Sequence, residues 1–235
     1  MIEAIMFDLD GTLIGQKTAS SNILKQLYSE NKKKFREITQ KEFLESWFKV
    51  AKKNIQEFFR GEITFEDKVI SQISDLFSIF DYKLNKSQAK EIYDKLLPIY
   101  EKNIKLYDDV IPCLEMLKKE GFRLGIITNG HSKDQREKLI RYNLKSYFSP
   151  IIVSGDIGFA KPNKEIFLEC IKLLDLPPQN ILYVGDLVEM DVLGANKVGI
   201  KGVWINRNNQ EREHDIISIR SLMELEALIK KGITN

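Results

Sequence analysis

The sequence of 235 residues contains little cysteine and no excess of either charge. Its two cysteines, Cys113 and Cys170, lie in separate helical patterns without a C-x-x-C spacing, which argues against a disulfide framework and a cysteine zinc site. The 36 Lys and Arg residues nearly balance the 34 Asp and Glu residues, and the net charge is +2. This balance gives no reason to expect a nucleic-acid partner or a membrane surface.

Long apolar runs are also absent. No segment approaches the ~20 consecutive apolar residues that a transmembrane helix needs. Glu3 and Asp8 interrupt the N-terminal segment where a signal peptide would be uniformly apolar. We therefore expect a cytoplasmic protein with no membrane partner.

Two kinds of pattern divide the chain. Between residues 16 and 104, apolar residues recur at helical spacing, with one helix expected to begin at Thr64. Elsewhere, amphipathic helices alternate with short apolar strands, predicted at Ala4–Phe7, Arg123–Thr128, Ile151–Ser154, Ile181–Val184 and Gly202–Ile205. This alternation is typical of a parallel sheet covered by helices on both faces. We predict an α/β fold with a doubly wound, Rossmann-like core (residues 1–15 and 105–235) and an inserted helical bundle (residues 16–104).

Local signals refine this prediction. Ser132 with Gln135, and Ser221 with Glu224, have the spacing of capping boxes. Pro98 falls inside a helical pattern and predicts a kink or break there. The aromatic residues of the insertion are expected to form the core of the bundle rather than to bind a ligand: Phe43, Trp47, Phe58 and Phe59.

Polar residues follow the predicted strands. The segments are "FDLDGTL" with Asp8 and Asp10, "ITNG" with Thr128 and Asn129, "AKP" with Lys161, and "VGDLVEMD" with Asp186 and Asp191. Because the carboxyl ends of parallel strands meet at one edge of a sheet, we expect these side chains to lie close together. Carboxylates that converge cost free energy unless a proton or a cation relieves the repulsion. The sequence therefore indicates a cation at this edge.

These four motifs, in this order, resemble those of the haloacid dehalogenase (HAD) superfamily of phosphohydrolases, and the resemblance covers nearly the whole chain. It implies that the insertion is the first type of cap domain of the family. The stretch from "TNG" through "QREKL" to "KPNKEIF" is similar to two branches, the nucleotide monophosphatases and N-acylneuraminate-9-phosphatase. The implied function is hydrolysis of a small-molecule phosphate ester.

The resemblance also implies a role for each residue. Asp8 is the expected nucleophile, which forms an aspartyl-phosphate. Asp10 is the expected acid for the leaving oxygen and then the base that activates water. Thr128 Oγ and the Asn129 N–H are expected to bind the phosphoryl group, and Lys161 to neutralise charge on Asp8 and the phosphate.

A phosphate dianion near an ionised Asp8 meets a repulsion of roughly 4 kcal/mol per charge pair at 4 Å and an effective dielectric of about 20. Mg²⁺ is the usual counter-charge, since it binds one or two carboxylates together with substrate phosphate. By the resemblance, its ligands are the side chains of Asp8 and Asp186 and the backbone carbonyl of Asp10. Asp191 is expected to bind it directly or through water.

Other functions stay open. Dehalogenases of the superfamily generally lack an acid at the position of Asp10, which argues against dehalogenation, whereas a sugar phosphomutase would share all four motifs. A receiver domain also places Asp, Thr and Lys around Mg²⁺, but its acidic pair precedes the acceptor Asp. A non-catalytic scaffold is expected to have lost at least one of these residues.

Further residues depart from the family pattern or lie outside the four motifs. Leu187 and Met190 replace the polar residues that related phosphatases often carry, which puts the contacts around the metal ligands in doubt. His131 is expected to lie at the surface or to cap a helix rather than to contact the substrate. Candidate substrate contacts in the insertion are Lys52, Lys53 and Arg60.

Overall fold

The apolar runs of the core form a six-stranded parallel sheet in the computed structural model, which describes residues 1–35, 37–51, 53, 55–60, 62–211 and 216–232. Within these residues the strands are β1 Ala4–Phe7, β2 Ile14–Gly15, β3 Lys105–Leu106, β4 Arg123–Thr128, β5 Ile151–Val153, β6 Ile181–Gly185, β7 Lys201–Ile205 and β8 Ser218–Ile219. The order in the sheet is β5-β4-β1-β6-β7-β8. Every neighbouring pair is parallel.

Helices cover this sheet and form the insertion. Those between β2 and β3 are α1 Lys17–Glu30, α2 Gln40–Ala51, α3 Ile55–Phe59, α4 Phe65–Ile79 and α5 Lys86–Asn103. Those that follow β3 are α6 Val110–Lys119, α7 Ser132–Arg141, α8 Ser154–Ile157, α9 Lys164–Leu174, α10 Leu193–Asn196 and α11 Leu225–Lys230. None of the helices in the described residues combines the length and the apolar character needed to cross a bilayer.

The central strand β1 is buried on both faces of the sheet. Its successive side chains point to opposite sides, so Ile5 and Phe7 join one hydrophobic cluster while Ala4 and Met6 join another. All four residues have no exposed surface. This burial explains why the strand reads as a continuous apolar run, and it confirms the predicted α/β, Rossmann-like fold.

The helical insertion, α1–α5, leaves and rejoins the core through a short antiparallel pair. Ile14 of β2 pairs with Leu106 of β3, and Gly15 pairs with Lys105. The two passages of the chain between core and insertion therefore lie side by side. The predicted domain limits at residues 16 and 104 stay a prediction, although α1–α5 lie between them.

The local sequence signals have mixed outcomes. Thr64 caps α4 by accepting a hydrogen bond from the Asp67 N–H, and the capping box of Ser221 and Glu224 is present, as predicted. Helix α5 continues through Pro98 to Asn103, so Pro98 does not break the helix, and the alternative of a kink stays a prediction. Strands β2, β3 and β8 were not predicted, because two residues are too few to show a period.

The prediction for Ser132 and Gln135 is also wrong. His131, not Ser132, occupies the position before α7, and no side chain caps this helix. The Gln135 side chain is fully buried and turns toward the carboxyl ends of the strands. The spacing of a capping box at Ser132 and Gln135 therefore leads to the wrong role for Gln135, which belongs to the candidate site.

Candidate active site

The residues predicted from the four motifs meet at one edge of the sheet. Asp8 follows β1 and Thr128 ends the neighbouring strand β4, while Asp186 follows β6 on the other side of β1. A cavity of about 180 Å³ lies between this edge and the insertion. The predicted residues that line it are Asp8, Asp10, Thr128, Asn129, Lys161 and Asp191.

Three carboxylates converge beside the cavity. Asp8, Asp186 and Asp191 each offer an oxygen within 4.8 Å of the oxygens of the other two. Lys161 Nζ lies 2.7 Å from Asp8 Oδ1 and 2.7 Å from Asp191 Oδ1. Burial raises the pKa of Asp8, and the charges of Asp191 and Asp186 raise it further, although Lys161 acts in the opposite direction. One ammonium group therefore does not balance the acidic cluster.

Two glycines allow this cluster to form. Gly11 has a φ of +97°, and a Cβ built on it would lie 2.4 Å from Asp186 Oδ2. A Cβ on Gly185 would lie 2.3 Å from the Asp191 carboxyl carbon. A side chain at either position would overlap a carboxylate of the cluster. Carboxylate oxygens at this density are the donors that Mg²⁺ prefers, so the residues fit a divalent cation.

Lys161 is held at this cluster by all three of its donors. Besides the two carboxylates, it donates to the Tyr183 hydroxyl at 2.8 Å, and that hydroxyl lies 2.9 Å from the Ile127 carbonyl. Burial lowers the pKa of Lys161, but the charges of Asp191 and Asp8 outweigh it and the pKa is raised. The lysine therefore supplies a fixed positive charge beside Asp8.

Asp10 lies apart from the three carboxylates and has its own partners. Asp10 Oδ1 accepts a hydrogen bond from Gln16 Nε2. Asp10 Oδ2 accepts from Gln135 Nε2 at 3.0 Å and from Lys138 Nζ at 2.6 Å. The two aspartates of the first motif consequently have different surroundings, as different chemical roles require.

Gln135 joins Asp10 to Thr128. Its Oε1 accepts from Lys138 Nζ at 2.8 Å, and because an ammonium group can only donate, this contact fixes which way the amide faces. The Gln135 Nε2 therefore points to Thr128 Oγ1, at 2.6 Å, as well as to Asp10. Since Thr128 accepts this hydrogen bond, its own hydroxyl proton is left to donate into the cavity.

With this geometry established, the comparisons with known proteins identify the family. Residues 5–205 match haloacid dehalogenase-like hydrolase sequences. The chain belongs to this hydrolase family. Human N-acylneuraminate-9-phosphatase is 31% identical over 240 residues, which cover 97% of this chain and 94% of that protein. The predicted resemblance is confirmed.

Other relatives match a shorter region, about half of their own length. The glyceraldehyde 3-phosphate phosphatase of Methanopyrus kandleri is 41% identical over 108 residues, 46% of this chain and 46% of that protein. The pyrimidine 5′-nucleotidase YjjG of Escherichia coli is 38% identical over 113 residues, 46% of this chain and 50% of that protein.

Solved structures confirm the fold of this hydrolase. The HAD phosphatase of Thermococcus onnurineus superposes with a TM-score of 0.69 at 31% identity, covering 97% of this chain and 98% of that one. The L-2-haloacid dehalogenase of Xanthobacter autotrophicus has a TM-score of 0.74 at 16% identity, with all of both chains covered. The second similarity shows the fold alone.

Three further residues near the acidic cluster make contacts that the sequence does not predict. Asn129 uses its side chain to hold the chain at Lys161, since Oδ1 accepts from the Lys161 N–H at 2.8 Å and Nδ2 donates to its carbonyl at 3.0 Å. Leu187 contributes its backbone, which donates to Asp191 Oδ2 at 2.9 Å. Met190 lines the cavity.

The predicted substrate contacts in the insertion are mostly wrong. Lys53 pairs with Asp75, and Arg60 pairs with Glu62, both away from the cavity. Lys52 lies outside the described residues. The insertion instead lines the cavity with Ile55, Phe58, Phe59, Phe65 and Lys68.

Two of the aromatic residues predicted for the bundle core thus face the site. Phe43 and Trp47 are buried in the bundle as predicted, whereas Phe58 and Phe59 line the cavity. The Phe59 carbonyl accepts a hydrogen bond from Ser154 Oγ of the core, which fixes the end of α3 at the site. Sequence spacing alone gives no signal for this contact between distant segments.

His131 lies outside the lining of the cavity. Its Nδ1 is 3.7 Å from Asp134 Oδ1 at the start of α7. Asp134 also accepts a hydrogen bond at 2.9 Å from the Phe65 N–H at the start of α4. This segment therefore connects the core to the insertion. His131 precedes α7, but its side chain does not cap the helix, so the capping prediction is wrong.

Proposed function

We propose that this hydrolase is a Mg²⁺-dependent phosphatase that cleaves small phosphate monoesters through an aspartyl-phosphate on Asp8. The observation that carries the proposal is the pairing of Asp8 with Lys161 inside a cluster of three carboxylates, next to a cavity that also holds Asp10. The names of the relatives support the substrate class, because they act on a triose phosphate, a sugar acid phosphate or a nucleotide.

The proposed ligands of Mg²⁺ are the side chains of Asp8 and Asp186 and the backbone carbonyl of Asp10, with Asp191 bound directly or through water. When bound, the ion supplies the positive charge that lets a phosphate dianion approach Asp8. Lys161 contributes the second positive charge, fixed by its contacts to Asp8 and Asp191.

In the first step, an Asp8 carboxylate oxygen forms a bond to phosphorus as the bond to the leaving oxygen breaks. The Thr128 hydroxyl donates a hydrogen bond to a phosphoryl oxygen, in the direction that Gln135 sets. Asp10 gives its proton to the leaving oxygen, and the alcohol product departs. The expected role of the Asn129 N–H toward the phosphoryl group is retained in this proposal.

In the second step, Asp10 removes a proton from water. The water oxygen attacks phosphorus, the bond from phosphorus to Asp8 breaks, and inorganic phosphate is released. Asp10 is protonated again and Asp8 is again a free carboxylate, so the residues return to their starting state. The same carboxyl group serves as acid and then as base, and the place of Asp10 on the lining of the cavity favours both roles.

We also propose that residues 16–104 act as a cap that selects the leaving group. Support comes from α3 and α4, which place aromatic side chains and Lys68 on the cavity. Family membership and the presence of Asp10 favour a phosphatase over a receiver domain or a dehalogenase. No described feature favours the phosphomutase alternative.

Asp8→Asn tests the mechanism. The amide preserves the shape of the side chain but has no nucleophilic charge, so we expect phosphate release from p-nitrophenyl phosphate to fall by at least about a thousandfold. Acid-quenched wild-type enzyme should carry a phosphoryl group on Asp8 by mass spectrometry. Asp108→Asn removes an exposed carboxylate as a matched control and should retain wild-type turnover. Retention of a tenth of the activity in Asp8→Asn would contradict the aspartyl-phosphate mechanism.

A further inference from the structure

Two lysines besides Lys161 line the cavity, near Asp10. Lys68 extends from α4 of the insertion and Lys138 from α7 of the core, and both line the cavity together with Asp10. Lys138 Nζ is 2.6 Å from Asp10 Oδ2. Neither the metal site nor the steps proposed above make use of Lys68.

Lys68 has aromatic neighbours in place of a carboxylate. Its Nζ lies 5.1 Å from the ring centre of Phe58 and 5.7 Å from that of Phe65. Among the described residues it forms no ion pair. Burial and the charge of Lys138 lower the pKa of Lys68 to about 8, while the charge of Asp10 acts in the opposite direction. The two ammonium groups thus share Asp10 as their nearby negative charge.

The two lysines outnumber the acidic side chains beside them. Lys138 is paired with Asp10, and Lys68 forms no ion pair of its own among the described residues. Two ammonium groups therefore lie beside one carboxylate on the lining of the cavity. An anionic group on the substrate would supply the missing counter-charge.

We propose that Lys68 and Lys138 form a subsite for a second acidic group on the leaving group of the substrate. This inference rests on the proposed phosphatase function and narrows its substrate class to short phosphate monoesters that carry a carboxylate or a second phosphate. Because Lys138 contacts Asp10, the acidic group lies only a few bonds from the leaving oxygen. The cavity volume of about 180 Å³ agrees with a short leaving group.

A matched pair of substrates tests this subsite. 3-Phosphoglycerate and glycerol 3-phosphate have the same three-carbon chain and differ by a carboxylate in place of a hydroxymethyl group. Propane-1,3-diol bisphosphate carries a second phosphate and separates the two sources of the charge. With Mg²⁺ and the full chain, we expect kcat/KM to be at least about tenfold higher for one of the two acidic esters than for glycerol 3-phosphate.

Lys68→Met should lower kcat/KM for the preferred acidic ester by about 10–100-fold, mainly through KM, and for glycerol 3-phosphate by much less. Lys68→Arg keeps the charge and should retain most of the preference. Lys95→Met removes an exposed lysine from α5 of the same insertion and should keep the wild-type ratio.

Two outcomes would overturn the subsite. One is a wild-type enzyme with no preference for either acidic ester, and the other is a Lys68→Met enzyme that loses activity on all esters in equal proportion. The second result would assign Lys68 to the transferred phosphoryl group or to closure of the insertion. A wild-type enzyme that releases phosphate from no ester, p-nitrophenyl phosphate included, would instead contradict the proposed phosphatase function itself.

Discussion

Gln135 is a neutral side chain that contacts two residues of the proposed mechanism, Asp10 and Thr128. Its amide is fully buried, donates to both Asp10 and Thr128, and accepts from Lys138. A buried amide without partners would cost free energy, so these contacts hold the side chain in one orientation. In the proposed mechanism, Gln135 is therefore a positioning residue, which acts on the substrate through Asp10 and Thr128.

Gln135→Met preserves the length of the side chain and removes both polar atoms. Thr128 and Asp10 would lose a shared donor, and hydrogen bonds to charged groups are worth about 1.5–3 kcal/mol. We expect kcat to fall by about 10–100-fold with KM changed much less, because the substitution leaves the proposed contacts of the phosphate to Mg²⁺ and Lys161 in place. Steady-state kinetics on p-nitrophenyl phosphate measures this split.

Lys133→Met changes an exposed residue of the same helix and serves as the control for that substitution. It should match the wild type in kcat and in melting temperature. If Gln135→Met kept kcat within twofold of the wild type, the proposed positioning role would be wrong.

At the residue scale, the sequence predicts those residues of the site that lie at the end of a strand. Asp8 and Asp186 follow strands and Thr128 ends one, and the carboxyl ends of parallel strands meet at one edge of the sheet. Gln135, Lys138 and Lys68 lie on amphipathic helices instead. Helical spacing identifies the apolar face of such a helix but does not show which polar side chain reaches another segment.

At the scale of elements, the loop after β1 determines how closely the acidic side chains approach. The loop turns at Gly11, whose N–H donates to the Ile14 carbonyl at 2.8 Å. Its φ of +97° is one that residues with a Cβ rarely adopt, and the Asp186 carboxylate lies against the position of the missing Cβ. A Cβ at residue 11 would therefore strain the turn and also collide with the Asp186 carboxylate.

Gly11→Ala should disturb the metal site more than it disturbs the fold. A Cβ at this position would displace Asp186, and we expect the Mg²⁺ concentration for half-maximal activity to rise by at least about tenfold. Backbone strain should cost about 1–3 kcal/mol in the free energy of unfolding. A Mg²⁺ titration of phosphate release, together with thermal unfolding, measures the two effects separately.

Gly121→Ala provides a matched control for backbone strain. Gly121 has a similar φ of +87°, but a Cβ there would contact no described atom within 4 Å. This variant should lose comparable stability and keep the wild-type requirement for Mg²⁺. Equal Mg²⁺ requirements in the two variants would show that the contact with Asp186 does not govern metal binding.

The long elements of this fold are predictable because each buries a regular apolar face. The five strands predicted from apolar runs all exist, and α4 begins where its cap residue indicates. The orientation of α3 is a different matter. Its residues Phe58 and Phe59 line the cavity, which depends on contacts with the core and not on local periodicity.

At the scale of the whole molecule, the acidic cluster bears on the free energy of unfolding. Burial raises the pKa of Asp8 and Lys161 lowers it, while the charges of Asp191 and Asp186 raise it, so both of these carboxylates repel an ionised Asp8 in the folded state. In the unfolded chain these residues are separated and solvated, so the repulsion is largely lost. A cation that binds the folded state should therefore stabilise the molecule as well as activate it.

We expect Mg²⁺ at about 100 times its dissociation constant to stabilise the wild type by about 2.7 kcal/mol relative to EDTA. For a chain of this length, 1 kcal/mol corresponds to about 2–4 °C in melting temperature.

Asp186→Asn removes one repelling charge and one proposed ligand, so it should melt a few degrees higher than the wild type in EDTA and gain less from Mg²⁺. Differential scanning calorimetry in the two buffers measures both changes. Ca²⁺ should stabilise the wild type but support little turnover, because it accepts bidentate carboxylates and can occupy both oxygens of Asp8. A lower melting temperature for Asp186→Asn in EDTA would contradict the repulsion argument, and an undiminished Mg²⁺ shift would remove Asp186 from the proposed ligands.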